Sequence, residues 1–555
     1  VTKQKKFITV RGLLAKNFDV IIKLLQGTKI KDYDEKMIKH VNSKTVSQLR
    51  VHSEAATDFD VKQLKNVIYD GIFSRTMATL TGGPLFIAFI LSMGASNALV
   101  GLIIGFSFIS QLSQIPAIFL VEKTGKRKLI SFSASAISRI LWIVIALTPL
   151  IFSGNLIFLA IIFLIASSIA NISTCSWNSW MRDLIPMNIR GRFLAKRLKL
   201  SFIPGMILSI IGGIFIDYWR RNYSGNESYG YSILFMLGAF LGIISLHFIL
   251  HIPEPSMKRE NKYFKALIQP FKDKNFRKLV IAIGLWSFAV NMASPFFAVY
   301  MLKILNFSIS QIMILTVISQ LSNIYFLGIL GKLSDRFGNK PVLTVSSSTF
   351  IICILAWTFT TLPEKHLLSL PILVVIHVLM GLSMAGTNLT IGNIAAKLSN
   401  PKNATAYLAS ISVVNSIFSG IAAIFGGQTA DFFIKRELAF TLQWKEPSKQ
   451  LSIPVLDFQG FDFHFLLASF IGFISLHLLS RVKEVGEETT EKVMHEVVNE
   501  VKKNLKSLTA IWKPYLRMPQ IPQIPAYLMN MEKIKREGNF PSQLTPPYNS
   551  FPQEN

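Results

Sequence analysis

Charged and glycine residues recur in one short pattern at two places in an otherwise apolar chain. The first copy is LVEKTGKRK, residues 120–128, and the second is LSDRFGNKP, residues 333–341. Each has an acid, a base, one further residue, a glycine, and then more polar or basic residues. The charges can pair with neighbouring helix ends, and glycine lets the backbone reverse within few residues. The pattern therefore predicts two tight, charged turns between apolar segments.

Polar side chains at helical spacing form a second candidate set, inside the apolar segments. If these segments span a membrane, such groups are costly unless they pair or face water, so they favour a water-filled pathway. Hydrogen bonding between helices is the alternative for each residue. Asn171, Cys175, Asn178 and Arg182 recur at i, i+4, i+7 and i+11, which places them on one helical face. The candidates are Arg75, Thr79, Asn171, Cys175, Asn178, Arg182, Ser287, Asn291, Asn388 and Asn393.

Two charged residues need separate consideration. Arg139 lies near the middle of its apolar segment, where an arginine needs a carboxylate, carbonyl groups or water. It could bind an anionic solute, as part of the same pathway, or hold a neighbouring helix; the sequence leaves both open. Asp70, near the start of the first apolar segment, is the candidate to carry a coupling proton, because the central parts of the segments hold almost no Asp or Glu.

The elements that must position these residues are membrane spans. Of the 555 residues, 51% are hydrophobic and only 16% are charged, whereas a soluble chain usually carries about 25% charged residues. A span needs about 20 predominantly apolar residues. The predicted spans are 68–93, 97–121, 129–152, 156–180, 200–219, 230–251, 277–302, 309–331, 341–361, 367–395, 404–432 and 462–480.

Several function classes are excluded. The formal charge is +27, but Lys and Arg concentrate in the two ends and the connectors, which indicates a membrane protein rather than a nucleic-acid binder. The chain has no HExxH, GxSxG or Walker motif, so we expect no enzyme. Its two cysteines lie inside apolar runs and suggest neither a disulfide nor a metal site. No cofactor is implied.

The predicted spans divide into six plus six. We expect an N-terminal extension at 1–65, a first half at 66–252, a basic linker at 253–276, a second half at 277–483 and a tail from 484 to 555. The basic connectors place both termini in the cytoplasm of a multi-pass protein in a plasma or bacterial inner membrane. The absence of an apolar run before residue 68 predicts no cleavable signal peptide.

The tail is predicted to begin as an amphipathic helix, with Val493, Val497, Val501 and Leu505 four apart, and then to become proline-rich and disordered. Both ends of the chain read either as solvated tails or as a binding module.

An internal repeat links the two halves. GGIFID (Gly212–Asp217) in the first half corresponds to GGQTAD (Gly426–Asp431) in the second, and the two charged patterns keep the same order at a similar separation. Two halves in the same orientation explain this.

On these residues the chain resembles the major facilitator superfamily. Its segments LTGGPLF, SWNSWMRDLIP and RGRFLAKR are similar to a prokaryotic branch of that family without an assigned substrate. The family's loop is Gly-x-x-x-Asp-Arg-x-Gly followed by two basic residues, and the first copy here departs from it by Ile118 and Glu122. The matching residues are Gly331, Asp335, Arg336, Gly338 and Lys340 in the second copy and Glu122, Lys123, Gly125, Lys126 and Arg127 in the first.

The resemblance implies an all-α membrane protein of twelve transmembrane helices in two pseudo-symmetric six-helix halves. It implies a cavity lined by the first and fourth helix of each half, and a cytoplasmic latch formed by the two charged loops. Charge that only sets the topology is the alternative for the loops.

We therefore expect a secondary active transporter of a small solute that works by alternating access. Its partners would be the lipid bilayer, an unknown small molecule and a coupling ion, H⁺ or Na⁺, with no nucleic acid. The alternative is a non-transporting receptor or scaffold on the same fold, with the basic ends docking a partner.

Overall fold

The computed structural model describes most of the chain between residues 64 and 516. The described ranges are 64–152, 154–257, 269–361, 366–399, 404–446, 450–484 and 486–516. The predicted N-terminal extension up to residue 63, part of the central linker and the proline-rich end therefore lie outside the described residues.

Twelve helices among the described residues are long and apolar enough to cross a membrane, as predicted. They are α1 (Leu64–Ser92), α2 (Asn97–Thr124), α3 (Arg127–Ile151), α4 (Leu156–Leu184), α5 (Met187–Asn222), α6 (Glu227–Leu250), α7 (Lys274–Lys303), α8 (Ile309–Phe337), α9 (Asn339–Thr360), α10 (Ser369–Leu398), α11 (Ala404–Phe433) and α12 (Phe461–Ser480).

Several helices extend beyond their predicted apolar runs. The largest difference is in α5, which begins at Met187 rather than near residue 200, because its first turns are basic and lie outside the apolar run. α1 is interrupted at Gly82, and Gly83 has a positive φ of 57° directly before a proline that restarts the helix. This break lets the second part of α1 take its own direction.

Both charged patterns form the tight turns that the glycines predict. Gly125 ends α2 in the left-handed conformation, with φ of 69°, and Gly338 joins α8 to α9 with φ of 96°. A side chain at either position would be strained, since residues other than glycine resist positive φ. The end of the bundle that carries these two turns is called the motif face below, and the opposite end the distal face.

The helices form two halves, α1–α6 and α7–α12, which meet along α2 with α11 and along α5 with α8. α2 and α11 approach closely through glycines. A Cβ atom on Gly105 would lie 2.9 Å from the carbonyl oxygen of Gly420, and one on Gly427 would lie 2.5 Å from that of Asn97. Because only glycine allows backbones this near, the α2–α11 contact is tight on the distal side.

The largest buried apolar cluster also lies towards the distal face and draws on both halves. It includes Phe86 and Phe89 of α1, Phe296 of α7 and Trp357 at the end of α9. Phe86, Phe89 and Phe296 are exposed by 2% or less. This core seals the distal side of the space between the halves.

Two elements follow α11 and α12. A hairpin of β1 (Glu437–Lys445) and β2 (Gln450–Gln459) joins those helices at the distal face, where no strands were predicted. The tail forms α13 (Thr490–Leu516), where the valine spacing predicts a helix. Val493 and Val497 are buried against Leu330 and Phe337 of α8, so this part of the tail packs on the second half.

Candidate functional site

At the distal face, two carboxylates connect the halves in a pseudo-symmetric way. Asp217 at the end of α5 accepts hydrogen bonds from the backbone N–H groups of Ile309 and Ser310, 2.8 and 2.9 Å away, at the start of α8. Helix N-termini leave N–H groups without partners and carry partial positive charge, so a carboxylate there is stabilising.

Asp431 at the end of α11 makes the equivalent contact with the first half. It accepts from the backbone N–H groups of Asn97 and Ala98 at the start of α2, at 3.1 and 2.7 Å. Lys303 adds a hydrogen bond from its Nζ to the Asn97 side chain at 3.3 Å. The repeated GGIFID and GGQTAD segments end in these two aspartates. Sequence reasoning noted the repeat but missed its role, because capping of another half's helix depends on tertiary contact.

At the motif face, the first charged pattern binds within its own half. The Arg127 guanidinium is fully buried and donates to Asp183 of α4, with an ion-pair distance of 2.5 Å. It also donates to the carbonyl groups of Ser179 and Pro255, at 3.1 and 2.7 Å. Arg127 therefore ties α3 to α4 and to the chain that follows α6.

The second charged pattern binds the tail. Lys340 Nζ lies 2.9 Å from Glu487. Arg336, which is largely exposed, lies 3.8 Å from the half-buried Glu496 on α13. Both contacts join the second half to the tail and neither reaches the first half.

Glu484 is the centre of this second cluster. Its buried carboxylate accepts from Asn339 Nδ2 at 3.0 Å, from the backbone N–H of Lys340 at 2.6 Å and from Lys397 Nζ at 2.8 Å. Burial alone would raise the pKa of Glu484, but these hydrogen bonds, led by the one from Lys397, hold it below its usual value. A carboxylate so placed caps the start of α9.

The remaining motif residues are exposed or half-buried. Lys123, Lys126 and Asp335 are exposed, and Glu122 is half-buried. Gly331 lies within α8, and a Cβ there would meet only a leucine side chain at 3.9 Å. Asp335 is exposed in this conformation, and the latch formed by Glu122 and Asp335 stays a prediction.

One face of α4 is exposed near the motif face and buried near the distal face. Asn178 is exposed near the motif end, whereas Ala160 lies about five helical turns earlier on the same face and is 4% exposed. On α10, Asn388 is exposed and His377, about three turns closer to the distal end, is 5% exposed. Exposed amides inside spanning helices indicate water rather than lipid. Both faces are therefore exposed towards the motif face and buried towards the distal face.

Other predicted cavity residues also lie in exposed positions near the motif face. The Arg182 side chain is 58% exposed at the end of α4, and Asn393 is exposed on α10. Arg75 is exposed on α1, and its guanidinium lies 4.2 Å above the Phe202 ring of α5. Thr79, one turn along α1, is half-buried and hydrogen-bonds its own helix.

Three predicted residues make hydrogen bonds to neighbouring helices in this conformation, and a fourth is partly buried. Asn171 donates to Ser110 of α2 at 3.0 Å. Ser287, 1% exposed, donates to Asn415 of α11, and Asn291 donates to Ser419 of the same helix at 3.0 Å. The fourth, Cys175, is half-buried. The first three make the interhelical hydrogen bonds that were the alternative for each residue.

A buried charged network holds the first half together. Asp70 is 3% exposed; its carboxylate lies 3.3 Å from Arg197 and accepts from Ser74 at 3.0 Å. Arg139, 7% exposed, donates to the same Ser74 at 3.3 Å and to Ser245 of α6 at 2.7 Å. Arg139 thus connects α1 and α6 in this conformation.

The sequence pattern does not single out Arg197, because the basic run around it is typical of a connector between spans. It lies on the early extension of α5, and it also stacks 4.3 Å above the ring of Trp177 on α4. A basic run that continues in helical register with the following span was the available signal. No group of His, Cys, Asp or Glu in the described ranges could hold a metal ion.

Comparison with known proteins agrees with this architecture. The family model of the Major Facilitator Superfamily matches residues 71–426 and 279–531. No curated protein matches the sequence significantly.

Three solved structures show the same fold at low sequence identity. A mutant of the nucleoside transporter NupG has a TM-score of 0.61 at 14% identity, covering 76% of this chain and 99% of its own. A D-xylose-proton symporter has a TM-score of 0.57 at 13% identity, covering 77% and 98%. A bacterial homologue of the human lysosomal transporter Spinster, inward-facing and occupied, has a TM-score of 0.54 at 15% identity, covering 78% and 98%.

Proposed function

The chain belongs to the major facilitator superfamily and is a secondary membrane transporter rather than an enzyme, and from that premise we propose how its parts serve transport. The central crevice binds a small polar solute. The two aspartate caps close the distal side. In the alternate state, the two charged turns at the motif face close the other side. The observation that carries this is the polar face of α4 and α10, which is exposed towards the motif face and buried towards the distal face.

The motif face is the cytoplasmic one in this proposal. The connectors at that face hold the runs EKTGKRK, IRGRFLAKRLK and GKLSDRFGNK, whereas those at the distal face hold few bases, apart from the last one, which includes Lys435, Arg436 and Lys445. Basic connectors stay on the cytoplasmic side. Both termini are then cytoplasmic, the protein lies in a plasma or bacterial inner membrane, and the conformation described above is open to the cytoplasm.

The crevice lining favours a cargo with hydroxyl or anionic groups. Asn178, Asn388 and Asn393 offer amide donors and acceptors, and Arg75 and Arg182 offer cationic donors suited to a carboxylate or phosphate. Two structural neighbours are named for a nucleoside and for D-xylose, which are polar solutes of this general kind. The shared fold does not transfer either cargo to this chain.

Asp70 is the proposed coupling site, with H⁺ favoured over Na⁺. It is a buried carboxylate facing Arg197, with Arg139 bonded to the same Ser74, and a structural neighbour is named as a proton symporter. Protonation of Asp70 would neutralise it and release Arg197 on α5. Because α5 also carries Asp217, this release would connect the proton to the distal cap.

The latch forms in the opposite state. When the halves rock and the motif face closes, Glu122 and Asp335 come towards basic side chains of the facing half, and Lys123, Lys126 and Arg336 are the exposed partners available. Charge pairs at this boundary would then replace the distal caps as the contacts that hold the halves.

The experiment that tests the proposal begins with a thermal-shift screen of nucleosides, pentoses and carboxylates on the purified protein. Each stabilising solute is then measured for uptake into proteoliposomes under an imposed proton gradient. Asn178→Ala and Asn388→Ala should weaken transport by 10-fold or more, whereas Asn222→Ala, at the distal end of α5, should not. Unchanged transport in both crevice variants would contradict the proposed site. If no solute moves while residues 1–60 or 490–555 capture a partner, the receptor alternative replaces it.

A further inference from the structure

The β-hairpin at the distal face is tied to the membrane at both of its ends. β1 follows α11, which ends at Phe433, and β2 leads directly into α12, which begins at Phe461. The strands pair in antiparallel register from Glu437 with Gln459 to Lys445 with Gln450. Strands of this length extend about 30 Å, so the hairpin starts where the helices leave the bilayer and is long enough to cover a wide area beside it.

One face of β1 is a row of exposed apolar side chains. Leu438, Phe440, Leu442 and Trp444 are exposed by 46, 56, 63 and 64%. They occupy alternate positions and therefore share one face of the strand. The register pairs this row with Phe458 and with aliphatic residues at positions 456, 453 and 451 of β2. The intervening positions of β1 are mostly polar, so the hairpin is amphipathic.

An apolar face of this extent marks an interaction surface. Its continuation identifies the partner. The Phe458 ring lies 6.3 Å from that of Phe463 in the first turn of α12, and the Phe463 ring stacks on Phe433 at the end of α11 with centroids 5.3 Å apart. The hairpin's apolar face is thus continuous with the distal ends of two spanning helices. Those helices carry exposed apolar side chains such as Phe432 and Phe470.

The residue types at the margins also fit a lipid surface. Trp444 stands near the tip beside Lys445, and Lys435 and Arg436 stand at the base. Tryptophan prefers the level of the lipid headgroups, where its ring is buried and its N–H remains hydrated. Lysine and arginine at that level interact favourably with phosphate groups and with anionic lipids.

We propose that the hairpin Glu437–Gln459 lies flat on the distal leaflet of the bilayer, with the row Leu438, Phe440, Leu442 and Trp444 inserted between the lipid headgroups. The hairpin acts as a surface anchor that holds the distal ends of α11 and α12 at a fixed depth. This assignment concerns the lipid bilayer and holds whichever compartment the distal face meets, so it stands independently of the proposed cargo and coupling.

The test is a single-cysteine scan of residues 438 to 445 in the full chain. Cys175→Ser and Cys353→Ser provide the background, and each variant is spin-labelled and placed as one copy per nanodisc of phosphatidylcholine with phosphatidylglycerol. Accessibility to oxygen, which concentrates in lipid, is compared with accessibility to a water-soluble nickel chelate. The labels at 438, 440, 442 and 444 should favour oxygen several-fold, and those at 439, 441 and 443 should favour the nickel chelate.

Two outcomes would overturn the proposal. Equal exposure of both sets to the nickel chelate would place the hairpin in water, and protection of the apolar row from both reagents would place a protein surface on it.

A second measurement needs no cysteine replacement. The fluorescence of Trp444 is the difference between the signal of the intact protein and that of the Trp444→Phe variant. Brominated lipids should quench this difference signal. An unquenched difference signal would equally refute insertion of Trp444.

Discussion

Removal of the distal aspartate caps should shift the transporter towards the state that is open at the distal face. Asp431→Ala deprives the first N–H groups of α2 of their acceptor, and Asp217→Ala does the same at α8. Because each carboxylate belongs to one half and its donors to the other, these contacts are lost whenever the halves separate distally. The substitutions therefore destabilise only the distally closed state.

The magnitude follows from the hydrogen bonds that are lost. Replacing a capping side chain by alanine costs about 0.5 to 2 kcal/mol, and each aspartate here accepts two backbone N–H groups, so about 1 to 2 kcal/mol for each is expected. Such a change multiplies the ratio of distally open to distally closed molecules by about 5 to 30. The two caps share no partners, so the double variant should approach about 2 to 4 kcal/mol.

Pulsed electron paramagnetic resonance between distal labels measures this ratio. Spin labels at Ser224→Cys, in the α5–α6 connector, and Leu367→Cys, before α10, report the separation of the halves, since both positions are exposed. Each cap variant should increase the population at long distance, and the double variant should increase it further. Glu227→Ala is the matched control, because this distal carboxylate pairs with Arg220 of its own half at 2.9 Å.

Two results would refute this reasoning. Unchanged distance distributions in both single variants would show that the caps do not hold the distal side closed. An equal shift in Glu227→Ala would show that the effect reflects a change in distal charge and not the contact between the halves.

Three further outcomes are expected. Glu484→Gln should lower the thermal unfolding temperature near pH 7 but have a smaller effect in acid. The pKa of Glu484 is lowered in the folded protein, so the carboxylate stabilises the fold above its usual pKa of 4.5, and this stabilisation is lost as the pH falls through the lower folded pKa. An effect that persists unchanged at pH 3 would contradict this. Arg127→Ala should destabilise the protein by about 2 to 4 kcal/mol in chemical unfolding, since it leaves Asp183 and two carbonyl groups without their donor, whereas a cost below about 1 kcal/mol would show that solvent replaces these bonds. Asp70→Asn should abolish uptake driven by a proton gradient but retain solute exchange in proteoliposomes; gradient-driven uptake at the original rate would remove Asp70 as the coupling site.

The fold was predictable because its signal is local. A run of about 20 apolar residues is sufficient to indicate a span, and glycine at 125 and 338 is sufficient to indicate a turn, since the observed positive φ values need it. The repeated segments then predicted two equivalent halves. None of these inferences required knowledge of which helices touch.

The site was only partly predictable because its chemistry depends on tertiary contact. Asn178 and Ser287 both read as polar residues on a spanning helix, yet one is exposed in the crevice and the other is buried against α11. The caps formed by Asp217 and Asp431 join residues far apart in the chain. The hairpin was missed because the loop was assessed for charge, although residues 438 to 444 alternate in the way that is typical of a strand.

The dependence of the second charged turn on Glu484 and Glu487 has a consequence for biosynthesis. The partner of Arg127 in the first half, Asp183, is translated soon after it, but Lys340 and the start of α9 wait for residues that follow the last spanning helix. Chains fold from the N-terminus as they are made, so the first half can complete its motif face while the second half is still being synthesised. The second half can do so only when Glu484 and Glu487 have been synthesised. A chain truncated directly after α12 would therefore contain all twelve spans but lack the contacts that Glu484 and Glu487 make at the motif face.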